Sequence, residues 1–388
     1  MPWHFSCPTE ISFGRGLRRE LAHRSAAYGD RVLLVTGGSH FAKNGGLALL
    51  EDDLGTAGVS WEHVVVDHEP TDALVDHVTA VGRRHGAQVV LAVGGGSVLD
   101  AGKAAAAMLR NEGDCIDYLE NLPNGKGHQQ IQASMPLIAA PTTAGTGSEV
   151  TRNAVIHVPH FGLKRSMRAN SMFPVQAVID PGLIETCPHD VAAAAALDAL
   201  AHLVESYLST GATDLTDALS LRGIPMAVRF IRSLRDGDPS AADWDGMAFA
   251  SLSGGMTLAN ARLGAAHGLV APLCGRLSHI AHGHGVACLS GAALQVTHAA
   301  LQERKPDSPA IGRMVELGAL IADSEDVDQL VAALDRFRRE LSLPALGKLG
   351  LEYDLLEDIA AKPSGSIASN PIELTLEERV AILTAARE

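Results

Sequence analysis

The chain has 388 residues, 46% of them hydrophobic but only 4% aromatic, with 39 glycines. That length exceeds one ordinary domain and fits two, with cores built from Ala, Val, Leu and Ile. Thirty-one Lys and Arg against 45 Asp and Glu give a formal net charge of −14, which repels phosphate backbones and anionic lipid and argues against nucleic acid or membrane as partners. The N-terminus lacks the basic start and apolar core of a signal peptide. The uncharged run 131–148 is full of Pro, Thr and Gly and makes a poor bilayer helix. Five scattered cysteines without a CxxC argue against a disulfide framework or a cysteine zinc site. The expectation is a soluble, cytoplasmic, globular protein.

In chain order, Arg31–Thr36, Glu62–Val66, Gln88–Val93, Pro136–Ala140 and Gln176–Asp180 read as strands. Helical apolar spacing covers Phe41–Leu54 and Ala73–His85 between the first three. Such alternation predicts a parallel sheet covered on both faces. Beyond Gly182 no β-run follows. Val191–Ser209, Asp214–Leu234, Ala241–Leu263, Leu289–Arg304, Ile311–Ala322, Val327–Leu341 and Leu376–Arg387 carry Ala/Leu-rich helical patterning instead. Asp180-Pro181-Gly182 interrupts regular structure. The expected organisation is an α/β domain over 1–182 followed by an all-helical domain over 183–388.

Three segments carry chemistry. The apolar run Val89–Val93 leads directly into Gly94-Gly95-Gly96-Ser97, and a helical stretch with Asp100 and Lys103 follows. Bare N–H groups at a helix start suit a pyrophosphate, although the spacing is neither GxGxxG nor that of a P-loop. A second loop, Pro141–Glu149, follows another apolar run with hydroxyls and glycines, as the edge of a nucleotide cleft would. In the helical half, Asp198 and His202 stand one turn apart on one face. Glu205, a turn further on, is placed to support a ligand from behind. His267, His279, His282 and His284 cluster in a region otherwise poor in charge. Two of them with Asp198 and His202 would make a three-nitrogen, one-oxygen site for Fe(II), Zn(II) or a similar ion. A solvated Asp–His pair and unrelated histidines give the same pattern.

Taken in this order, the motifs resemble the iron-containing (group III) alcohol dehydrogenases of the dehydroquinate synthase-like superfamily, over most of the chain. Gly94–Lys103 matches that family's GGGSxxDxxK element, and Pro141–Asn153 its PTTAGTGSEVT element. Asp198-Ala199-Leu200-Ala201-His202 is similar to its first ligand helix, Asn260–Gly268 and His284–Ala287 to the segments with the other ligands, and Ser369-Asn370-Pro371 to its ending. The resemblance implies a Rossmann-like N-terminal domain, a helical C-terminal domain, and a cofactor and metal in the cleft between them. It implies the ligands Asp198, His202, His267 and His284, the last favoured over nearby His282 by its HG-V-A context. Implied cofactor contacts are Gly94, Gly95, Gly96 and Ser97 at the pyrophosphate, and Thr142, Thr143, Thr146 and Thr151 along the cleft. Lys164 falls near the ribose and Leu183 at the boundary, while Asp100 and Lys103 steady the turn and the nicotinamide side. Asn153 and Val155 border the substrate.

Two departures from the family matter. Gly37-Gly38-Ser39 stands where NAD-preferring members place an Asp that would bind the adenosine ribose and repel a 2′-phosphate. Its absence tilts the expectation slightly to NADP(H) or dual use, with Ser39 as a phosphate donor. Ala271 replaces a His often found near the substrate, so no proton relay carries over; His279, His282 or water would have to serve. Arg262 stands where Gly is common, and would pair with an acidic substrate if it faced the pocket. The expected activity is a metal-dependent, NAD(P)(H)-linked alcohol dehydrogenase or aldehyde reductase acting on a small alcohol, aldehyde or keto acid, as a homodimer. The metal is Fe(II) first and Zn(II) second. The alternatives are a metal-independent, maleylacetate-reductase-like enzyme, a dehydroquinate-synthase-like lyase and a non-catalytic sensor.

Overall fold

The structure, a computed structural model, describes residues 2–123, 125, 127 and 129–388, with the side chain of Ser39 outside the described set. By internal contacts the chain divides into two units. One comprises Cys7–Thr143 and Gly147–Cys187; the other comprises Pro188–Glu388, the stretch ending at Ser6, and Ala144–Thr146. The main crossing thus falls after Cys187 rather than after Gly182. The reason is local: Asp180 accepts from Gly182 N at 2.9 Å and caps the short helix that follows. Leu183 then packs, 3% exposed, with Val93, Ala140 and Val178 under the sheet.

The first unit holds strands β1 (Glu10–Phe13), β2 (Arg31–Gly37), β3 (Ser60–Val66), β4 (Val89–Gly94), β5 (Leu137–Pro141), β6 (Asn153–Val158), β7 (Leu163–Arg168) and β8 (Gln176–Ile179). Its helices are α1 (Leu21–Ala26), α2 (Ser39–Lys43), α3 (Gly46–Thr56), α4 (Asp72–His85), α5 (Gly96–Met108) and α6 (Pro181–Ile184). Six strands form one sheet in the order β1-β8-β5-β4-β2-β3, every pair parallel. Successive side chains of a strand point to opposite faces. Leu33 and Val35 accordingly enter one core cluster while Val32 and Leu34 enter the other. This is why these strands read as unbroken apolar runs: both faces are covered.

One expected element differs. The single helix over Phe41–Leu54 breaks into α2 and α3 because Gly45 takes φ +74, which ends a right-handed helix. The short edge strand β1 and the antiparallel pair β6–β7 add to the five expected strands. The polar sequence of β7, Leu163-Lys164-Arg165-Ser166-Met167-Arg168, shows no apolar run, because only part of it is buried.

The second unit contains α7 (His189–Leu208), α8 (Asp214–Arg235), α9 (Ala241–Ala261), α10 (Ala265–Arg276), α11 (His282–Arg304), α12 (Pro309–Ala322), α13 (Val327–Glu340), α14 (Leu356–Ala360) and α15 (Leu376–Ala386), and no strand among the described residues. Helix α7 is long and apolar enough to cross a membrane, but 78% of that window is buried, with α8, α9 and α11 packed against it. Its alanines let these neighbours approach. Helix α10 was not expected, because Gly268, Pro272 and Gly275 break the pattern. Pro272 has no N–H for the carbonyl of Gly268. Ser364 N supplies one instead, at 2.8 Å, so the helix persists.

In the first unit Glu149 lies 2% exposed on a short turn near Lys103. Burial pushes its carboxyl up to about 7, only partly offset by a backbone hydrogen bond and the charge of Lys103. A carboxyl raised in the fold favours folding at low pH, and that contribution is lost as pH rises from 4.5 in the unfolded chain through about 7. Glu149→Gln should therefore match wild type in Tm near pH 5 and exceed it by pH 8, by roughly 3 kcal/mol in stability. Thermal melts across that range would show a constant difference if burial does not penalise the charge.

Candidate metal centre and dinucleotide turn

The centre is built on α7. Asp198 and His202 are 1% and 3% exposed, and the Asp198 Oδ1 to His202 Nε2 distance is 3.9 Å. The other ring nitrogen of His202, Nδ1, lies 3.3 Å from the carbonyl of Gly145, a partner that fixes Nε2 as the nitrogen facing Asp198.

His267 enters from the first turn of α10. Its Nε2 stands 3.3 Å from Asp198 Oδ1 and its Nδ1 2.7 Å from Glu205 Oε2. The Glu205 carboxylate also accepts from the backbone N–H groups of Gly264 and Ala266, at 3.0 and 2.7 Å. One side chain thus holds both the start of α10 and the ring it carries. The sequence signal was spacing alone: Asp198, His202 and Glu205 share one face of α7. The imidazoles of His202 and His267 stack with centroids 4.5 Å apart.

The third imidazole is that of His282, at the start of α11, with Nε2 3.9 Å from Asp198 Oδ1. Donor atoms of Asp198, His267 and His282 lie within 4.8 Å of one another. His284, the expected fourth ligand, is turned away and donates from Nε2 to the carbonyl of Pro344 at 2.7 Å. Residues two apart on a helix point about 200° from each other, so the two histidines do not share a face. Beside His282, α11 approaches α7 closely: a Cβ on Gly283 would meet the carbonyl of Ala194 at 2.7 Å. His279 does not join the cluster, since its Nε2 binds the carbonyl of Leu349.

Burial opposes every charge in this cluster, and the pairings decide the outcome. Against burial, His202, His267 and His282 hold Asp198 well below the usual carboxylate range. Against burial too, Asp198 and Glu205 raise His267 to about 9. Burial wins at His202, which drops to about 4. Two buried carboxylates thus demand positive charge between them. One oxygen and three imidazole nitrogens, two of them oriented from behind, suit a borderline divalent cation.

In the first unit, the loops after β2, β4 and β5 stand side by side at the carboxyl ends of the strands, where open α/β sheets bind ligands. Gly94 pairs with Pro141, and Thr142 N donates to Gly94 O at 3.0 Å. Helix α5 starts at Gly96 with Gly95 as its N-cap and no capping side chain, which leaves the Gly96–Ser97 turn as an N–H-lined anion position. Gly94 has to be Gly, because a Cβ there would lie 2.5 Å from the Val98 side chain. Gly95, Gly96, Ser97, Thr142, Thr143 and Thr146 are half-buried, as are Gly37 and Gly38.

Asp100, Lys103 and Thr151 are bonded to one another. The fully buried Lys103 binds Thr151 Oγ1 at 2.9 Å, Asp100 Oδ1 at 3.1 Å and the carbonyl of Asn153. Asp100 in turn accepts from Ser148 Oγ at 2.6 Å and Val155 N at 2.8 Å. Lys164 is buried in an ion pair with Glu69. Leu183 lies in the core and acts there through packing. Arg262 is exposed, with φ +65 and ψ −170, a backbone that suits the Gly common at this position.

The model of the iron-containing alcohol dehydrogenases matches residues 8–181, and that of their C-terminal domain matches residues 192–387. The chain is 33% identical over 333 residues to alcohol dehydrogenase 4 of Saccharomyces cerevisiae, covering 84% of this chain and 83% of that protein. It is 32% identical over 278 residues to a sulfoacetaldehyde reductase of Bilophila wadsworthia, covering 71% and 69%. The solved alcohol dehydrogenase of a halo-thermophilic archaeon from a Red Sea brine pool superposes with a TM-score of 0.91 at 26% identity, covering 100% of this chain and 99% of that one. The chain therefore belongs to the iron-containing alcohol dehydrogenase family, and it is an oxidoreductase acting on CH–OH groups.

Proposed function

We propose that the enzyme interconverts a small alcohol and its carbonyl compound with a nicotinamide dinucleotide, on a divalent metal held by Asp198, His202, His267 and His282. The observation that supports this most is the buried Asp198 carboxylate facing three imidazole Nε2 atoms. When bound, the cation supplies Lewis acidity toward a carbonyl or hydroxyl oxygen. The dinucleotide, when bound, supplies or accepts the hydride. The chain's own residues do the rest. Asp198 provides the compensating negative charge, Glu205 and the Gly145 carbonyl aim the His267 and His202 rings, and the uncapped start of α5 receives pyrophosphate oxygens. Iron is our first choice and zinc our second, since the donor set suits both. On family grounds we place the enzyme in the cytoplasm as a homodimer.

The metal-independent alternative would need basic groups for an acidic substrate. Arg262 is exposed, and the donor set is intact, which favours the metal reading. The sulfoacetaldehyde reductase likeness keeps anionic aldehydes among the substrates to test.

Metal analysis of the purified protein should find about one Fe or Zn per chain, lost in Asp198→Ala together with activity. Full turnover by metal-free protein would sink the metal mechanism. His282→Ala should lose metal as Asp198→Ala does, while His284→Ala keeps it; the reverse result would restore His284 as the ligand. Glu205→Gln should weaken metal binding about 10- to 100-fold in chelator competition, a readout independent of turnover. A screen of NADH and NADPH oxidation with short aldehydes, sulfonated and carboxylated aldehydes and keto acids should reveal turnover of an aldehyde. Silence across the panel would favour a lyase or a binding protein.

A further inference from the structure

In dinucleotide-binding sheets a carboxylate at the end of the strand beside the glycine turn accepts from the adenosine ribose hydroxyls and excludes a 2′-phosphate. Strand β2 ends at Gly37, is followed by Gly38, and offers no such side chain. Its neighbour β3 does. The parallel register pairs Gly37 with Val66, so Gly38 and Asp67 leave the sheet side by side. A Cβ built on Gly38 would lie 3.3 Å from the Asp67 Cβ and 3.7 Å from its Cα. The space into which a side chain at position 38 would grow is thus already bordered by Asp67. The Asp67 carboxylate is not drawn into the core: its side chain is 71% exposed, and its Oδ1 lies 2.6 Å from His68 Nδ1. Gly37 itself borders the start of α5, where a Cβ would sit 3.6 Å from Val98 Cγ2. Asp67, Gly38, Gly37 and the glycine turn therefore form one continuous rim within the first unit.

We propose that Asp67 determines dinucleotide specificity in this enzyme. Reaching in from the neighbouring strand, it takes the place of the carboxylate missing from β2, accepts from the 2′-hydroxyl of the adenosine ribose and repels a 2′-phosphate. The enzyme then selects NAD(H), against the tilt to NADP(H) that Gly37-Gly38 gives when read alone. Of the His and Lys side chains near the turn, His40 is engaged with Asn44 Nδ2 at 2.9 Å and His68 with Asp67 itself. Lys43 lies in the last turn of α2. The proposal rests on the dinucleotide reading above.

The test is a fluorescence titration of the metal-loaded, full-length enzyme with NADH and with NADPH, which needs no knowledge of the substrate. Wild type should bind NADH more tightly. Asp67→Ala should shift the ratio of the two Kd values toward NADPH by about tenfold or more, the size expected for losing a hydrogen bond to a charged group. Asp67→Asn, which keeps a hydrogen-bond acceptor but loses the charge, should recover NADPH binding while retaining part of the NADH affinity. His68→Ala should leave the ratio as in wild type. An unchanged ratio in both Asp67 variants, the same shift from His68→Ala, or wild type that prefers NADPH would overturn the proposal. Wild type that binds neither dinucleotide would instead remove the dinucleotide reading, and this inference with it.

Discussion

A carboxylate in the middle of an alanine-rich core helix is the constraint around which the helical unit is built. Asp198 is 1% exposed, and a buried charge is costly unless it is paired and hydrogen-bonded. Three imidazoles converge on it from α7, α10 and α11. Glu205 brings a second buried carboxylate to the far side of His267. Two buried carboxylates and three imidazoles thus meet in one place, the donor set we propose for a divalent cation. Removing one partner would leave the others uncompensated, so the centre stands or falls as a unit.

The first unit has its own buried charge, used differently. Lys103 is fully buried yet bonded to Asp100, Thr151 and the Asn153 carbonyl. Asp100 in turn fastens Ser148 and the backbone of β6. These bonds tie the helix that follows the glycine turn to the loop after β5 and to the β6–β7 pair. The turn is thereby held in shape before any ligand arrives, which lowers the ordering cost of binding.

Much was legible in the sequence because it depends on local periodicity and composition. The five runs became strands: β2, β4 and β5 are apolar without a break because both faces of the parallel sheet are buried there, while the edge strand β3 leaves one face open. The long helices of the second half followed from 3.6-residue spacing. Asp198, His202 and Glu205 were readable as one face of one helix, and Gly94–Ser97 as a strand-to-helix turn. Elements outside those rules escaped. Strand β7 is too polar to register, and α10 carries a proline whose lost hydrogen bond is replaced from Ser364, nearly a hundred residues away.

The sequence by itself determined the family, the α/β-then-helical order, the helix bearing the first two donors and the glycine turn, because each is written in residues close along the chain. Tertiary structure decided what depends on which face meets which neighbour. The HG-V-A context favours His284 as text, but where α11 approaches α7 at Gly283 the structure turns His282 toward Asp198 and His284 toward the Pro344 carbonyl. Likewise a missing carboxylate at the end of β2 reads as an absence until the parallel register sets Asp67 beside Gly38. Strand pairing and helix packing join residues distant in sequence, and that information does not exist at the level of spacing.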